Sequence, residues 1–304
     1  MADRIESMFR VDGRRALVTG ASSGLGRRFA RTLALAGAEL IVVARRADKL
    51  GDLVEEIGGL GGKCFAVSLD VTSAASVRAC FDEIERSAGG AADIVVNNAG
   101  VTVTKPLLQH TEEDWDSVVG TNLKGGWMVA QEAARRLVAA KKGGSIVNIA
   151  SILGERVAGG VAPYAISKAG LVQATKAMAL ELARYDIRVN AILPGYVVTD
   201  LNRDFLESEA GEKLRSRIPT RRFGRLENLD EIDGLAAVPT EIGGPKGSLG
   251  SDEGTVQRAQ DWALGREIVD RGSSLLEWLK DRIDLGRVKG IRNRELGRLD
   301  ASST

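Results

Sequence analysis

Six short apolar runs, separated by longer helical patterns, are the feature that most constrains the fold of this sequence. Each run is rich in β-branched residues and mostly apolar, as expected for strands buried on both faces of a sheet. The runs are Ala16–Val18, Leu40–Val43, Cys64–Val67, Ile94–Val96, Ile146–Ile149 and Ile187–Ile192. Because helical crossovers join parallel strands, the alternation predicts an α/β protein with a doubly wound parallel sheet in a three-layer α/β/α sandwich.

Three of the intervening segments carry clear helix signals. Thr72 or Ser73 is placed to cap the first helix, and Thr111 with Asp114 resembles a capping box at the start of the second. The second helix is expected to continue to about residue 140 as one amphipathic element. The third is expected over residues 163–185, which are rich in Ala, Leu and Lys. These segments would supply helical layers on the sheet.

The first predicted strand runs directly into a glycine-rich loop, and a helical pattern follows. The loop reads Thr19-Gly20-Ala21-Ser22-Ser23-Gly24-Leu25-Gly26. Glycines let the backbone turn tightly and approach a pyrophosphate, and the free N–H groups at a helix start attract its charge. A tight surface turn is the alternative, but the strand, the spacing and the helix together favour a dinucleotide site in a Rossmann fold.

The residues after the second strand bear on the choice between NAD and NADP. An NAD site usually has an acidic residue there, which holds the hydroxyls of the adenosine ribose. This chain has Ala44-Arg45-Arg46 instead. A guanidinium can form paired hydrogen bonds to a 2′-phosphate, so the sequence favours NADP, although a solvated arginine pair would give the same pattern.

Tyr164 and Lys168 are four residues apart in the third predicted helix, so their side chains share one face. A phenol titrates near pH ~10, and a neighbouring ammonium is expected to lower the pKa of Tyr164 toward a value useful for acid/base catalysis. Ser151 ends the fifth strand, at the sheet edge where ligands bind in such folds. We therefore expect Ser151 to hold a substrate carbonyl and Tyr164 to protonate its oxygen after hydride transfer.

Together these motifs resemble the classical short-chain dehydrogenase/reductases over about residues 10–230. The matching residues are Gly20, Gly24 and Gly26, Asp70-Val71, Asn97-Asn98-Ala99-Gly100, Asn122, Ser151, Tyr164-Ala165-Ile166-Ser167-Lys168 and Pro194-Gly195. The resemblance implies one NADP-binding catalytic domain over residues 1–230. It also implies an oxidoreductase that interconverts a ketone or aldehyde and a secondary alcohol with NADP(H).

The resemblance further assigns roles to single residues. The catalytic set would be Asn122, Ser151, Tyr164 and Lys168, with Asn122 helping to hold a water that relays protons to Lys168. The alternative for Asn122 is a polar helix residue that bonds a backbone carbonyl. Asp70 would contact adenine and Thr199 the nicotinamide amide. The full cofactor set would be Gly20, Ser22, Ser23, Gly24, Leu25, Gly26, Arg45, Arg46, Asp70, Val71, Asn98, Ala99, Gly100, Tyr164, Lys168, Pro194, Gly195, Val197 and Thr199.

Composition argues against several other classes of function. The 42 Lys and Arg nearly balance the 41 Asp and Glu, so no overall field favours nucleic acid or an anionic membrane as partner. We find no signal-peptide pattern and no apolar stretch of membrane-spanning length, and we expect a cytoplasmic protein. Cys64 and Cys80 fit reduced, buried thiols, and His110, the single histidine, fits a solvated loop residue. No metal site is expected.

Substrate choice is left open by three loops, over residues 101–108, 152–162 and 196–225. A partly apolar pocket is suggested by Leu107, Leu108, Ile152, Leu153, Val157, Val161 and Tyr196. Glu155, Arg156 and Asn202 could equally bind hydroxyls or a carboxylate. The chain resembles both 3-oxoacyl-carrier-protein reductases and gluconate or polyol dehydrogenases. A catalytically impaired nucleotide-binding or scaffolding protein is the alternative to an enzyme.

Residues 231–304 depart abruptly from the family pattern, because the usual last helix and strand are not found there. We expect a helical or poorly ordered tail, a sheet without its seventh strand, and a shifted reading frame or gene fusion as the origin. The long helices over residues 111–140 and 163–185 survive, and in the family such helices form one of two subunit contacts. We therefore predict a homodimer rather than the tetramer typical of the family.

Overall fold

The computed structural model describes residues 10–46, 48–200 and 202–229, and the predictions for residues 231–304 lie outside this part of the chain. Six parallel strands form one sheet in the order β3-β2-β1-β4-β5-β6. The strands are β1 (Arg15–Thr19), β2 (Glu39–Ala44), β3 (Cys64–Ser68), β4 (Ile94–Asn97), β5 (Gly144–Ile149) and β6 (Ile187–Ile192). All six predicted strands are confirmed, with shifts of no more than two residues at either end.

Helices cover the two faces of this sheet and connect its strands. They are α1 (Gly24–Leu35), α2 (Asp48–Gly59), α3 (Ala74–Ala88), α4 (Glu112–Val119), α5 (Gly126–Ala139), α6 (Ala162–Leu182), α7 (Arg203–Leu206) and α8 (Glu209–Arg215). Short 3-10 turns lie at Leu107–Gln109, Ile152–Gly154, Ala183–Tyr185 and Leu226–Leu229. The predicted doubly wound, three-layer architecture is therefore confirmed.

The helix caps follow the sequence signals, with one difference inside the second helix. Ser73 rather than Thr72 caps α3, since its Oγ accepts from the Ser76 amide at 3.2 Å. The capping box of Thr111 and Asp114 is present at the start of α4. The helix expected to continue to residue 140 is present from Glu112 to Ala139, but a π-helical segment, Gly120–Gly125, lies inside it between α4 and α5. Such segments are frequent at functional sites, and this one carries Asn122.

Most of the hydrophobic core lies in two large clusters, one on each face of the sheet. Successive strand residues point to opposite faces, so Ala16 and Val18 join the cluster under α1 and α2 while Leu17 joins the other. The second cluster is covered by α3, α5 and α6, with Phe81 and Leu137 fully buried in it. Packing on both faces fixes the strands, so their carboxyl ends form one rigid edge.

The two thiols are free, as the sequence suggested. Cys80 is buried in α3 and Cys64 is half-buried at the start of β3. Burial raises the pKa of each thiol to about 12, which makes both unreactive near neutral pH. Within the described residues, no group of His, Cys, Asp and Glu side chains could hold a metal ion. The helices of that same part of the chain are all too short or too polar to cross a membrane.

Candidate active site

A cleft of about 370 Å³ opens at the carboxyl edge of the sheet, beside the point between β1 and β4 where the strand order reverses. Nearly all predicted site residues line it. They are Gly20, Ser22, Ser23, Gly24, Leu25, Arg45, Arg46, Asp70, Val71, Asn98, Ala99, Gly100, Ser151, Tyr164, Lys168, Pro194, Gly195, Val197 and Thr199. Gly26 and Asn122 are the two predicted residues that do not line the cleft, and both lie close behind its wall.

The glycine loop has the backbone that a phosphate cradle needs. Gly20 and Gly24 have φ values of +65° and +54°, which residues other than glycine rarely adopt. A Cβ on Gly26 would lie 2.5 Å from Asn98 Nδ2 and against the Gly20 carbonyl, so only glycine fits there. The first turn of α1 has no acidic residue, and the Ser23 side chain makes no capping hydrogen bond. Its N–H groups and positive dipole end are therefore left for an anion in the cleft.

Thr19 and Asn98 join the glycine loop to the end of β4. The Thr19 hydroxyl accepts hydrogen bonds from the Asn98 and Ala99 amides, at 3.0 and 2.9 Å. In return, Asn98 Nδ2 donates to the Thr19 and Gly20 carbonyls, at 3.0 and 3.3 Å. Sequence reasoning assigned no role to Thr19, although it stands at the head of the glycine loop. The two strand ends on either side of the switch point are thereby held together.

The loops after β2 and β3 lie on one side of the switch point, and β5 and α6 with Tyr164 lie on the other. These two loops carry Arg45, Arg46 and Asp70. Both arginines are exposed and line the cleft. Asp70 accepts hydrogen bonds from the amide and hydroxyl of Thr72, at 3.0 and 2.7 Å. These bonds, with a smaller contribution from the charge of Arg45, lower the pKa of Asp70, so its carboxylate is ionised and already oriented.

Ser151, Tyr164 and Lys168 come together on the other side of the cleft. Ser151 is buried at the end of β5, where its Oγ accepts from the Leu153 amide at 3.1 Å and is hydrogen-bonded to the Tyr164 side chain. Lys168 is 4% exposed, and its Nζ donates to the Ile149 carbonyl at 2.7 Å. The same Nζ lies 5.6 Å from the centre of the Tyr164 ring. The predicted convergence of these three residues is found.

The pKa of Tyr164 is shifted in the opposite direction from the one expected from the sequence. Burial of the hydroxyl raises the pKa of Tyr164, and the hydrogen bond with Ser151 only partly opposes this. This direction is the reverse of the lowering predicted from Lys168, because the loss of water around the phenol is the largest influence on its pKa. Burial also lowers the pKa of Lys168 to about 8. Tyr164 is therefore a protonated acid at neutral pH, beside a lysine that is easily deprotonated.

Asn122 makes contacts through its side-chain amide that the sequence did not specify. Its Oδ1 accepts from the Val101 amide at 2.8 Å, and its Nδ2 donates to the Val101 carbonyl at 2.9 Å. The same Nδ2 donates to Ser167 Oγ at 3.1 Å. The alternative that Asn122 bonds a backbone carbonyl is therefore present in the structure, but the carbonyl is that of Val101 in the loop after β4 rather than one within the same helix. The three hydrogen bonds of the amide join the π-helical segment to this loop and to α6.

The substrate loops give the cleft fewer apolar walls than expected. Leu107, Leu108 and Val157 are largely exposed, and they are not among the residues that line the cleft. Asn202 does line it, but its Oδ1 accepts from the Thr199 amide at 2.9 Å and its Nδ2 donates to the Val197 carbonyl at 2.9 Å. This amide is engaged with its own loop. Lining residues that the sequence analysis did not select are Thr19, Val43, Ala44, Leu69, Thr72, Val101, Thr121, Ile149, Ala150 and Asp200.

His110 is not the solvated loop residue that the sequence suggests. Its side chain is only 7% exposed, and Nδ1 lies 3.7 Å from Asp114 Oδ2. Both ring nitrogens are buried without a hydrogen-bond partner among the described residues. Asp114 is bonded by Lys105 Nζ at 2.7 Å and by the Thr111 amide at 3.0 Å. The imidazole is therefore buried beside the capping box of α4.

The chain has close relatives among known proteins. Residues 14–210 match the family described as short chain dehydrogenase. A 3-oxoacyl-[acyl-carrier-protein] reductase of Thermotoga maritima is 38% identical over 223 residues, 73% of this chain and 89% of the relative. The oxidoreductase UcpA of Salmonella typhimurium is 37% identical over 279 residues, 89% of this chain and 98% of that protein. At 279 residues, the match to UcpA must extend beyond residue 229 of this chain.

A solved structure gives the same result for the fold. The gluconate 5-dehydrogenase of Burkholderia cenocepacia, in complex with NADP and tartrate, is 37% identical with a TM-score of 0.74. The similarity covers 77% of this chain and 92% of that one. Sequence and fold agree over most of the chain and most of each relative. The chain therefore belongs to the short chain dehydrogenase family of oxidoreductases, which act on CH–OH groups.

Proposed function

We propose that this protein is an NADP(H)-dependent oxidoreductase that interconverts a ketone or aldehyde and a secondary alcohol, with Tyr164 as its acid/base. The observation that carries the proposal is the meeting of Ser151, Tyr164 and Lys168 in the same cleft as the glycine loop. A nucleotide site alone would account for Tyr164 and Lys168 as cofactor contacts, but not for Ser151 beside them. Their placement beside it supports chemistry at the ligand.

The residues of the cleft fit a dinucleotide phosphate. The positive φ of Gly20 and Gly24 and the uncapped start of α1 suit a pyrophosphate. Arg45 and Arg46 would hold a 2′-phosphate, Asp70 the adenine, and Thr199 the nicotinamide amide. Among similar structures, the gluconate 5-dehydrogenase of Burkholderia cenocepacia and an NAD(P)-dependent one from Beutenbergia cavernae were solved with NADP bound. The bound cofactor would supply or accept a hydride.

The side chains of the catalytic set would bind the substrate oxygen and transfer the proton. In the direction of reduction, Ser151 and Tyr164 hydroxyls hydrogen-bond the substrate carbonyl, so charge that develops on its oxygen is stabilised. Tyr164 then donates its proton to that oxygen. The Lys168 ammonium, 5.6 Å from the ring, favours the phenolate that remains. Asn122 would complete the set by helping to hold a water that passes protons to Lys168.

The relatives support two substrate classes. One is a 3-oxoacyl group on a carrier protein and the other is gluconate, as the relatives' names state. The cleft favours neither, because Asn202 is occupied by its own loop and Leu107 and Leu108 stand away from the lining. We propose a small-molecule carbonyl or alcohol as substrate, in the cytoplasm and without nucleic acid or membrane as partner.

A turnover assay with a panel of substrates tests the proposal. The full chain would be mixed with NADPH and, separately, with NADH, and offered ketones, sugar acids, polyols and acyl thioesters. NADPH oxidation with at least one class, faster than with NADH, is the expected result. NADPH binding without turnover of any member would overturn the proposal and support the alternative of a nucleotide-binding scaffold.

The face formed by α5 and α6 supports the predicted homodimer. A groove of about 430 Å³ runs between these helices and is lined by Trp127, Met178, Leu182 and Tyr185. Trp127 and Tyr185 are partly exposed aromatic residues, which is typical of a surface that becomes buried on association. We propose that a second copy of the chain covers this face. Light scattering is expected to give a dimer, and a monomer or a robust tetramer would contradict it.

A further inference from the structure

The Ser167 hydroxyl joins α6 to the π-helical segment that carries Asn122. Ser167 is completely buried in α6, between Tyr164 and Lys168 in sequence. Its Oγ donates to the Tyr164 carbonyl at 2.7 Å and accepts from Asn122 Nδ2 at 3.1 Å. Because the proton of the hydroxyl is committed to Tyr164, a lone pair is left for Asn122. The direction of each hydrogen bond is therefore fixed.

The chain of hydrogen bonds continues to the loop after β4. Asn122 holds both the amide and the carbonyl of Val101, at 2.8 and 2.9 Å. Val101 lines the cleft, and the neighbouring Gly100 is placed between Asn122 and Lys168. A Cβ on Gly100 would lie 3.3 Å from Asn122 Oδ1 and 3.6 Å from Lys168 Nζ. This part of the cleft wall thus leaves little more than the space of a methyl group between Gly100 and the lysine.

We infer that Ser167 is a positioning residue, which ties the Asn122–Val101 clamp to the first turn of α6 and so sets Tyr164 and Lys168 against the cleft wall. Its consequence for turnover rests on the proposed function. Loss of the hydroxyl leaves one proton of a buried amide without an acceptor, and the tie between the π-helical segment and α6 is broken. Displacements of the order of ~1 Å at reacting groups cost up to roughly a hundredfold in rate.

Thr175 provides a matched control within the same helix. It is also completely buried in α6, its Oγ1 donates to the Leu171 carbonyl at 2.8 Å, and it accepts from Asn148 Nδ2 at 2.9 Å. The same two kinds of hydrogen bond are therefore present, but they join α6 to Asn148 in β5 and involve neither Asn122 nor Val101. Ser167→Ala and Thr175→Val each remove one such hydroxyl, with similar expected losses of stability.

Hydrogen exchange on the unliganded full chain tests the tie without any turnover. We expect Ser167→Ala to increase exchange at the Val101 amide, whose acceptor is Asn122, and Thr175→Val to leave it unchanged. Ser167→Cys keeps a weaker donor and acceptor of similar size, so we expect intermediate exchange at the Val101 amide. This variant provides the test if Ser167→Ala does not fold. Unchanged protection of Val101 in both Ser167 variants would overturn the inference.

Kinetics on the same variants test the consequence for catalysis. We expect Ser167→Ala to lower kcat by roughly tenfold or more and to shift its pH profile, with NADPH affinity unchanged. Thr175→Val should stay within about twofold of the unmodified protein in kcat and keep its profile. Equal kcat in both variants would refute the positioning role. An unmodified protein that lacks turnover would instead refute the proposed function, and the exchange result would still decide on the tie.

Discussion

The two halves of the cleft are built in different ways. On the side of β1 to β3, the site is formed by backbone: positive φ at Gly20 and Gly24, a close approach at Gly26, and free N–H groups at the start of α1. On the side of β4 to β6, buried polar side chains form it, among them Asn122 and Ser167. The first, the nucleotide half, therefore depends on the absence of side chains at its glycines. The second, the catalytic half, depends on hydrogen bonds between buried side chains.

The largest effect is expected where the nucleotide half leaves no space. Gly26→Ala would place a Cβ 2.5 Å from Asn98 Nδ2 and against the Gly20 backbone, which cannot move aside. We expect a loss of about 3 kcal/mol in the free energy of unfolding, measured by urea denaturation. Gly51→Ala is the control, because a Cβ there has open space in α2 and should stabilise the protein by about 1 kcal/mol. Similar values for both variants would contradict the close packing of the loop.

The next effect concerns cofactor choice in the same half. Ala44 lines the cleft directly before the two arginines, so Ala44→Asp would place a carboxylate where a 2′-phosphate is expected. The ratio of NADPH to NADH affinity should fall by roughly tenfold to a hundredfold, as judged by fluorescence titration. Ala44→Asn controls for shape without charge. Equal affinities for both cofactors in the unmodified protein would remove the proposed role of Arg45 and Arg46.

In the catalytic half, the smallest expected effect is a dependence on pH. Burial lowers the pKa of Lys168 to about 8, so the ammonium is present below that pH and is lost above it. The Tyr164 proton is retained through this range, because its own pKa is raised. The rate of reduction should therefore be level below about pH 8 and fall up to tenfold per unit above it. A rate that rises through this range would contradict the role of the ammonium.

The same contrast explains how far the sequence could be interpreted. Strands, glycine loop and site residues were all predicted, because each depends on spacing along the chain or on a motif that follows one strand. The π-helical segment, the bonds of Asn122 and the burial of His110 could not be predicted, since each depends on chain segments that meet only after folding. The predicted direction of the pKa shift of Tyr164 was wrong for the same reason. Burial is a property of the folded chain, and it raises the pKa of Tyr164.

Catalysis by Tyr164 is the central claim, and Tyr164→Phe tests it most directly. The substitution removes the phenolic oxygen and leaves the ring, the glycine loop and the arginines in place. NADPH affinity, followed by fluorescence titration, should stay within about twofold of the unmodified protein. The rate of reduction of a substrate found in the panel should fall by about a thousandfold or more. Near-normal turnover by Tyr164→Phe would show that another group transfers the proton and would contradict the account.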